Sequence, residues 1–142
     1  MTVLLTIAGI ASVILWGQVR FGSVSACFRY VAGDRFLVDS PLKSFGSVQT
    51  GQVALVSFRL TNMSSQAVRL LGSQSSCKCV LPGYPLAGIP PYSSCDLKIR
   101  VTPGPMIGTF KESVVLFTDA PGRRAVPLIV RGNVENVPIS GR

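Results

Sequence analysis

The residues of this chain with the most distinctive chemistry are its cysteines, four among 142 residues. Cys77 and Cys79 are separated by one residue, and Cys95 follows sixteen residues after Cys79. In an extended segment, residues i and i+2 point to the same face, so Cys77 and Cys79 are expected to approach an inward-facing Cys95. We therefore predict a disulfide that joins Cys95 to Cys77 or Cys79. Such a bridge would close a loop of roughly 17–19 residues and contribute about 3 kcal/mol.

Two alternatives to this bridge remain open. The thiols could be buried and unpaired, or they could hold a soft ion such as Cu(I) or Zn(II) or carry out redox chemistry. A structural zinc site commonly has four ligands with C-x₂₋₄-C spacing, and C-x-C also differs from the C-x-x-C of thioredoxin-like proteins. A thiol-based redox or soft-metal protein that uses Cys77, Cys79 and Cys95 is therefore the second functional hypothesis. The leading hypothesis needs no metal and no other cofactor.

The composition argues against an enzyme and against a nucleic-acid-binding protein. The chain has no histidine, which excludes most general-base and Ser-His or Cys-His arrangements. Its six acidic residues are dispersed, and no glycine-rich phosphate loop is present. The net charge is +8, but Arg123-Arg124 is the only adjacent basic pair in the sequence. Nucleic-acid binders usually cluster their basic residues. We therefore interpret the scattered positive charges of this chain as solvated faces of strands that lie near an anionic membrane.

The N-terminal segment is long and apolar enough to suggest a membrane helix. No charged residue occurs between Thr2 and Val19, and Trp16 lies near the far end. Residues 1–20 are therefore predicted to be an uncleaved signal-anchor, with a cleaved signal peptide or a buried helix as alternatives. Paired cysteines favour an oxidising compartment, so the remainder is predicted to lie in the periplasm. The basic residues that follow the segment favour the opposite orientation.

A juxtamembrane linker is predicted over residues 21–35. It contains the sequence VSAC, residues 24–27, which fits the short pattern before a lipidated cysteine. Lipidation of Cys27 would anchor the chain without a spanning helix. Arg20 separates this cysteine from the apolar run, which favours an ordinary apolar cysteine near the membrane.

Beyond residue 35 the pattern is that of β-strands. Ala54, Val56, Phe58 and Leu60 share one face of a period-two segment, and Cys95, Leu97, Ile99 and Val101 share one face of another. Proline and glycine mark the connections. Strands are predicted at 53–62, 68–73, 95–103, 112–119 and 125–134. These signals favour an all-β, immunoglobulin-like antiparallel sandwich of about seven strands over residues 36–134, followed by a tail at 135–142.

The order of several short motifs resembles a bacterial family, the domain of unknown function 1573 family, which is related to ASH/MSP-type immunoglobulin-like domains. The motifs are Phe45-Gly46, Gly51, Phe58, Asn62 and Ser76-Cys77-x-Cys79. An N-terminal apolar segment, a short linker and a single such domain are similar to small planctomycete-type exported proteins. Two positions depart from the family pattern. Tyr92 follows Pro91 where a glycine is usual, and Lys78 lies between the cysteines where a glycine is often found.

The resemblance implies an interaction or scaffolding module rather than an enzyme. Together with the apolar segment at residues 2–19, it predicts a single-pass protein of the bacterial cytoplasmic membrane with its β-domain in the periplasm. An unknown protein partner is expected to add a strand to an exposed sheet edge. Asn62 also begins an N-glycosylation pattern, Asn62-Met63-Ser64, which is interpreted as turn chemistry.

Overall fold

The computed structural model describes residues 9, 11, 12, 15, 24–83 and 88–136 of the chain. Within this part, a helix of eight residues precedes eight strands. The elements are α1 (Val24–Val31), β1 (Phe36–Val38), β2 (Leu42–Gln49), β3 (Ala54–Asn62), β4 (Leu70–Ser75), β5 (Val80–Gly83), β6 (Ser94–Val101), β7 (Gly108–Thr118) and β8 (Ala125–Glu135).

The strands form two four-stranded sheets that pack face to face. The strand order is β1-β3-β6-β5 in the first sheet and β2-β8-β7-β4 in the second. The predicted all-β sandwich is therefore confirmed for the described residues. Eight strands are present there instead of about seven. The five strands that were placed from the sequence correspond to β3, β4, β6, β7 and β8, whereas β1, β2 and β5 lack a clear alternating pattern.

One strand pair departs from the antiparallel arrangement that we predicted. β2 runs parallel to β8, whereas the other described pairs are antiparallel. β1 and β2 are separated by only three residues, 39–41, and they belong to different sheets. The chain thus crosses from one sheet to the other at this point and meets β8 in the same direction. The Ile129 N–H donates to the Pro41 carbonyl at 2.7 Å and fixes the crossing.

The core lies between the two sheets and follows the predicted alternation. Along β3 the residues alternate between buried and exposed, and Phe58 and Leu60 are completely buried. Leu97 and Ile99 of β6, in the same sheet, are also completely buried, and Leu128 of β8 contributes to the same core from the other sheet. Each such side chain contributes on the order of 1.5–3 kcal/mol by leaving water. The sandwich is therefore held mainly by apolar packing between its sheets.

Part of the expected linker is helical and is tied to the sandwich. After α1, the Asp34 carboxylate pairs with Nη1 of Arg123 at 3.1 Å, and the same nitrogen donates to the Phe36 carbonyl at 3.2 Å. Burial lowers the pKa of Arg123, and the carboxylate partly offsets this effect. The segment between α1 and β1 is thereby joined to the turn before β8.

The predicted membrane segment at residues 2–19 lies mostly outside the described residues, as does most of the tail at 135–142. Gly9, Ala11, Ser12 and Leu15 are described and helical. In the described part of the chain, no helix has both the length and the apolar character needed to span a membrane.

Candidate functional site

The first motif residues, Phe45 and Gly46, lie at a bulge in β2. The register with β8 shifts here, and Gly46 has a φ of +75°. The Phe45 ring lies over Gly132 of β8, and its centroid is 5.7 Å from that of Phe110. A β-carbon at Gly132 would overlap the ring. Glycine at this position therefore leaves the space that an aromatic plug fills.

The next two motif residues are a turn glycine and a core aromatic. The Gln52 N–H donates to the Gln49 carbonyl at 3.0 Å, and Gly51 has a φ of +81° at the third position of this turn. A type II turn requires a positive φ at that position, which favours glycine. Phe58 is completely buried in β3. Both residues therefore serve the fold.

Asn62 is a buried polar residue with all its polar atoms bonded. Its Nδ2 donates to the carbonyls of Gln66, Ile89 and Pro90 at 2.7, 3.0 and 3.0 Å. Its Oδ1 accepts the N–H and hydroxyl of Ser64 at 2.9 and 2.6 Å. The side chain thus ties two loops to the end of β3. Because Asn62 is completely buried in the folded chain, its amide is not accessible to N-glycosylation there.

The disulfide of the structure joins Cys77 to Cys79, and Cys95 is a free thiol. The predicted bridge to Cys95 is therefore wrong. The Cys79 carbonyl accepts the Thr102 N–H at 2.8 Å, which places it just beyond the end of β6. Cys95 lies seven residues before Thr102, or more than about 20 Å away along an extended chain. Because a disulfide requires Cα atoms within about 7 Å, the sheet register separates these cysteines.

The Cys77–Cys79 disulfide lies on the wall of a surface groove of about 450 Å³. Phe110 and the largely exposed Met106 contribute apolar surface to this groove, and Lys78 lies on its rim. Both cysteines are half-buried against the edge of the core. The sulfur atoms are therefore supported by the fold and still accessible from solvent. We call this feature the cysteine groove.

Glu112 of β7 is the acidic residue that the fold brings to the cysteine groove. One carboxylate oxygen of Glu112 and the Sγ atoms of Cys77 and Cys79 all lie within 4.8 Å of one another. The Ser76 hydroxyl donates to Oε2 of the same carboxylate. Sequence reasoning missed Glu112 because only the register of β4 with β7 places it opposite the segment that follows β4.

Cys95 does not belong to this cluster. Cys95 is half-buried on β6, where burial raises the pKa of its thiol and Asp96 raises it further, so this thiol stays protonated. Cys27 belongs to α1, but its side chain, and with it the possible lipidation site, lies outside the described residues.

The free edges of the two sheets differ in how strongly they hinder pairing with an additional strand. Among the described strands, β1 has only three residues, β2 carries the bulge at Gly46, and β5 contains Pro82. Short length, bulges and proline all hinder the addition of another strand. β4 contains neither proline nor a charged residue. Its bulge falls at Leu71, near the start of the strand, and leaves residues 72–75 regular.

An apolar surface accompanies the free edge of β4. Leu71 is 64% exposed, and Phe117 of the neighbouring β7 is 38% exposed. They line a shallow groove of about 330 Å³ together with Asp119 and Arg124. Asp119 accepts the Arg69 N–H at 2.6 Å, and this bond lowers the pKa of its carboxyl. We call this second feature the β4 edge.

Similar solved structures share the fold of this chain. They include a protein of unknown function from Porphyromonas gingivalis W83, with a TM-score of 0.59 and 14% identity over 69% of this chain and 46% of that chain. The seventh ASH/PapD-like domain of human CEP192 has a TM-score of 0.55 and 11% identity over 72% of this chain and 87% of that domain. The VesB protease of Vibrio cholerae has a TM-score of 0.52 and 15% identity over 80% of this chain and 36% of the protease chain.

The TM-scores establish a common fold, and the low sequence identities establish nothing about activity. The chain spans less than half of the Porphyromonas protein and about a third of VesB. No curated protein matches the chain significantly. The family model described as "Protein of unknown function (DUF1573)" matches residues 37–134, which is most of the sandwich. The chain therefore belongs to the DUF1573 family and has the immunoglobulin-like fold of the ASH/PapD-like domains.

Proposed function

We propose that this chain is a non-enzymatic interaction module, anchored in the bacterial cytoplasmic membrane through residues 2–19, with its sandwich on the periplasmic side. The uncharged N-terminal segment supports the anchor. The Cys77–Cys79 disulfide supports an oxidising compartment, since such bridges are rare in the cytosol. The module binds an extended segment of a partner protein as an added strand.

The free edge of β4 is the observation that carries this proposal. Hydrogen bonding alternates along an antiparallel pair, so alternate residues of β4 direct N–H and C=O groups away from β7. These groups offer a partner strand a regular ladder, because residues 72–75 carry no proline, charge or bulge. Leu71 and Phe117 add an apolar contact beside the ladder. Main-chain bonds would supply affinity, and the apolar groove would select the partner's side chain.

Site-specific photocrosslinking in native membranes tests the edge. A photoreactive amino acid at the exposed Gln74 of β4 should yield a crosslinked protein in the full-length chain. Leu71→Lys should reduce this product at least tenfold, because a lysine on a strand edge opposes strand addition. Leu55→Lys is the matched control, since Leu55 is 65% exposed on the outer face of the other sheet.

Equal yields from Leu71→Lys and the unmodified chain would contradict binding at β4. A loss with Leu55→Lys alone would move the interaction to the other sheet. The anchor has its own test. Deletion of residues 2–19 should release the chain from the membrane fraction, and protease added to spheroplasts should digest the sandwich of the full-length chain. Protection from that protease would contradict the periplasmic orientation.

A further inference from the structure

We propose that the cysteine groove contains a redox-gated zinc site whose protein ligands are Cys77, Cys79 and Glu112. In the oxidised chain the two sulfurs are joined to each other and cannot both bind a metal as thiolates. The Glu112 carboxylate lies within 4.8 Å of both sulfurs. Zinc sites of thiolate and carboxylate ligands have Zn–S and Zn–O bonds of about 2.0–2.3 Å. A small separation of the sulfurs on reduction therefore suffices to admit the ion.

Hydrogen bonds already orient Cys77 and Glu112. The Cys79 N–H donates to Sγ of Cys77 at 3.0 Å, an interaction that stabilises negative charge on sulfur. The Ser76 hydroxyl holds the Glu112 carboxylate, and the Ser75 hydroxyl donates to the Cys77 carbonyl at 2.6 Å. Partners of this kind commonly fix the ligands of metal sites. Two of the three ligands are therefore preorganised by residues that adjoin the cysteines.

The disulfide itself contributes little to folding. It closes a loop of only three residues, and the stabilisation that a disulfide gives through chain entropy falls as the loop shortens. The sulfurs also face an open groove and lie outside the fully buried core. Reduction can thus occur while the sandwich stays folded.

Reduction of the Cys77–Cys79 disulfide requires a reductant, which we take to be a dithiol. The reductant transfers two electrons and two protons to the Cys77–Cys79 disulfide and becomes a disulfide, and two thiols result. Zn²⁺ then displaces both thiol protons. Two thiolates, one carboxylate and Zn²⁺ carry a net charge of −1, which Lys78 and Lys111 beside the groove offset.

The carboxylate favours Zn²⁺ over Cu(I), because softer ions prefer sulfur ligands alone. Three protein ligands leave a fourth position that points into the groove, as in zinc sites that bind water or a further ligand. Cys95, the third ligand considered in the sequence analysis, is excluded by its distance from the pair. The inference does not depend on strand addition at β4, since none of the three ligands belongs to that strand.

Zinc titration of the full-length chain tests the site. The chain is reduced with a phosphine, because this reductant adds no thiol that would compete for the metal. Zn²⁺ is then titrated in the presence of a chromophoric chelator. We expect one equivalent bound by the reduced chain and none by the oxidised chain. Co²⁺ in place of Zn²⁺ should give thiolate-to-metal charge-transfer absorption. Glu112→Gln should weaken Zn²⁺ binding at least tenfold, whereas Glu135→Gln, the matched change of an exposed residue, should leave it unchanged.

Alkylation rates provide a second measurement that does not depend on a variant. Zn²⁺ should slow the alkylation of Cys77 and Cys79 in the reduced chain and leave Cys95 unaffected, as mapped by peptide mass. Equal affinity in the oxidised and reduced chains would overturn the proposal. Binding that survives Cys77→Ser with Cys79→Ser, or that is insensitive to Glu112→Gln, would also overturn it. Circular dichroism of each variant would confirm that the sandwich is retained.

Discussion

The two ends of the sandwich are built on opposite principles. At one end Asn62 is completely buried, and each of its polar atoms is bonded to a loop. At the other end Cys77 and Cys79 are half-buried beside a groove, and Met106 is exposed next to them. A closed polar cluster stabilises the fold, whereas accessible sulfur in a groove contributes little stability and remains available for reaction. We therefore expect substitutions at the Asn62 end to affect stability more than changes at the cysteine end.

The largest effect is expected from Asn62→Ala. The change removes a donor shared by three carbonyls and the acceptor of two Ser64 groups, and buried groups left without partners are costly. The free energy of unfolding should fall by about 3 kcal/mol in urea denaturation. Asn133→Ala, at an exposed position on β8, is the matched control. A loss below that of the control would remove the distinction between the two ends.

A somewhat smaller loss is expected from Gly132→Ala. The new β-carbon would overlap the Phe45 ring, which must then leave its place beside Phe110. Overpacking of this kind should cost about 2 kcal/mol. Gly72→Ala on β4 is the control, because its β-carbon would meet open space at an ordinary φ. In a double-mutant cycle, Phe45→Ala should remove most of the penalty; additive effects would contradict the overlap.

Reduction of the Cys77–Cys79 disulfide is expected to have a smaller effect. A three-residue loop predicts a loss of at most about 1.6 kcal/mol. Unfolding with and without a phosphine reductant measures it, and Cys77→Ser with Cys79→Ser should make the two curves coincide. If reduction cost more than the Asn62 substitution, the cysteine end would be the stabilising one and the comparison would be reversed.

The smallest effect should be a gain in stability. Tyr92 has a φ of +53° and is the only non-glycine residue with positive φ in the described part of the chain. Left-handed backbone costs a residue with a β-carbon about 1 kcal/mol, and the Tyr92 side chain is 67% exposed. Tyr92→Gly should therefore raise the melting temperature, whereas Tyr92→Ala, which keeps the β-carbon, should not. A gain from both variants would assign the effect to the side chain.

The alternating strands of the fold were predictable from the sequence, and the irregular ones were not. Phe58 and Leu97 lie on the buried faces that the period-two pattern assigned to them. β1 is too short to show a period, β2 is interrupted at Gly46, and β5 contains Pro82. Each of these strands is defined by its neighbour in the sheet, which a local pattern does not contain.

The site was predictable only in part. The C-x-C element identified the two cysteines of the disulfide. That they pair with each other and not with Cys95 follows from the register of β5 with β6, which the sequence does not show. Glu112 is more than thirty residues from Cys79 and carries no local signal. Tyr92, by contrast, occupies a position where the family pattern has glycine, and its positive φ gives the physical reason for that glycine.

The parallel pairing of β2 with β8 has a consequence for the order of events during synthesis. The Thr50 N–H bonds to the Glu135 carbonyl at 3.0 Å, across 85 residues of chain. Such distant pairing slows folding, since a long loop must close before the contact forms. Until β8 has emerged from the ribosome, β2 has no neighbour in its sheet and its backbone groups are exposed. The nascent domain therefore completes its second sheet last, and during that interval it most needs a chaperone that shields unpaired strands.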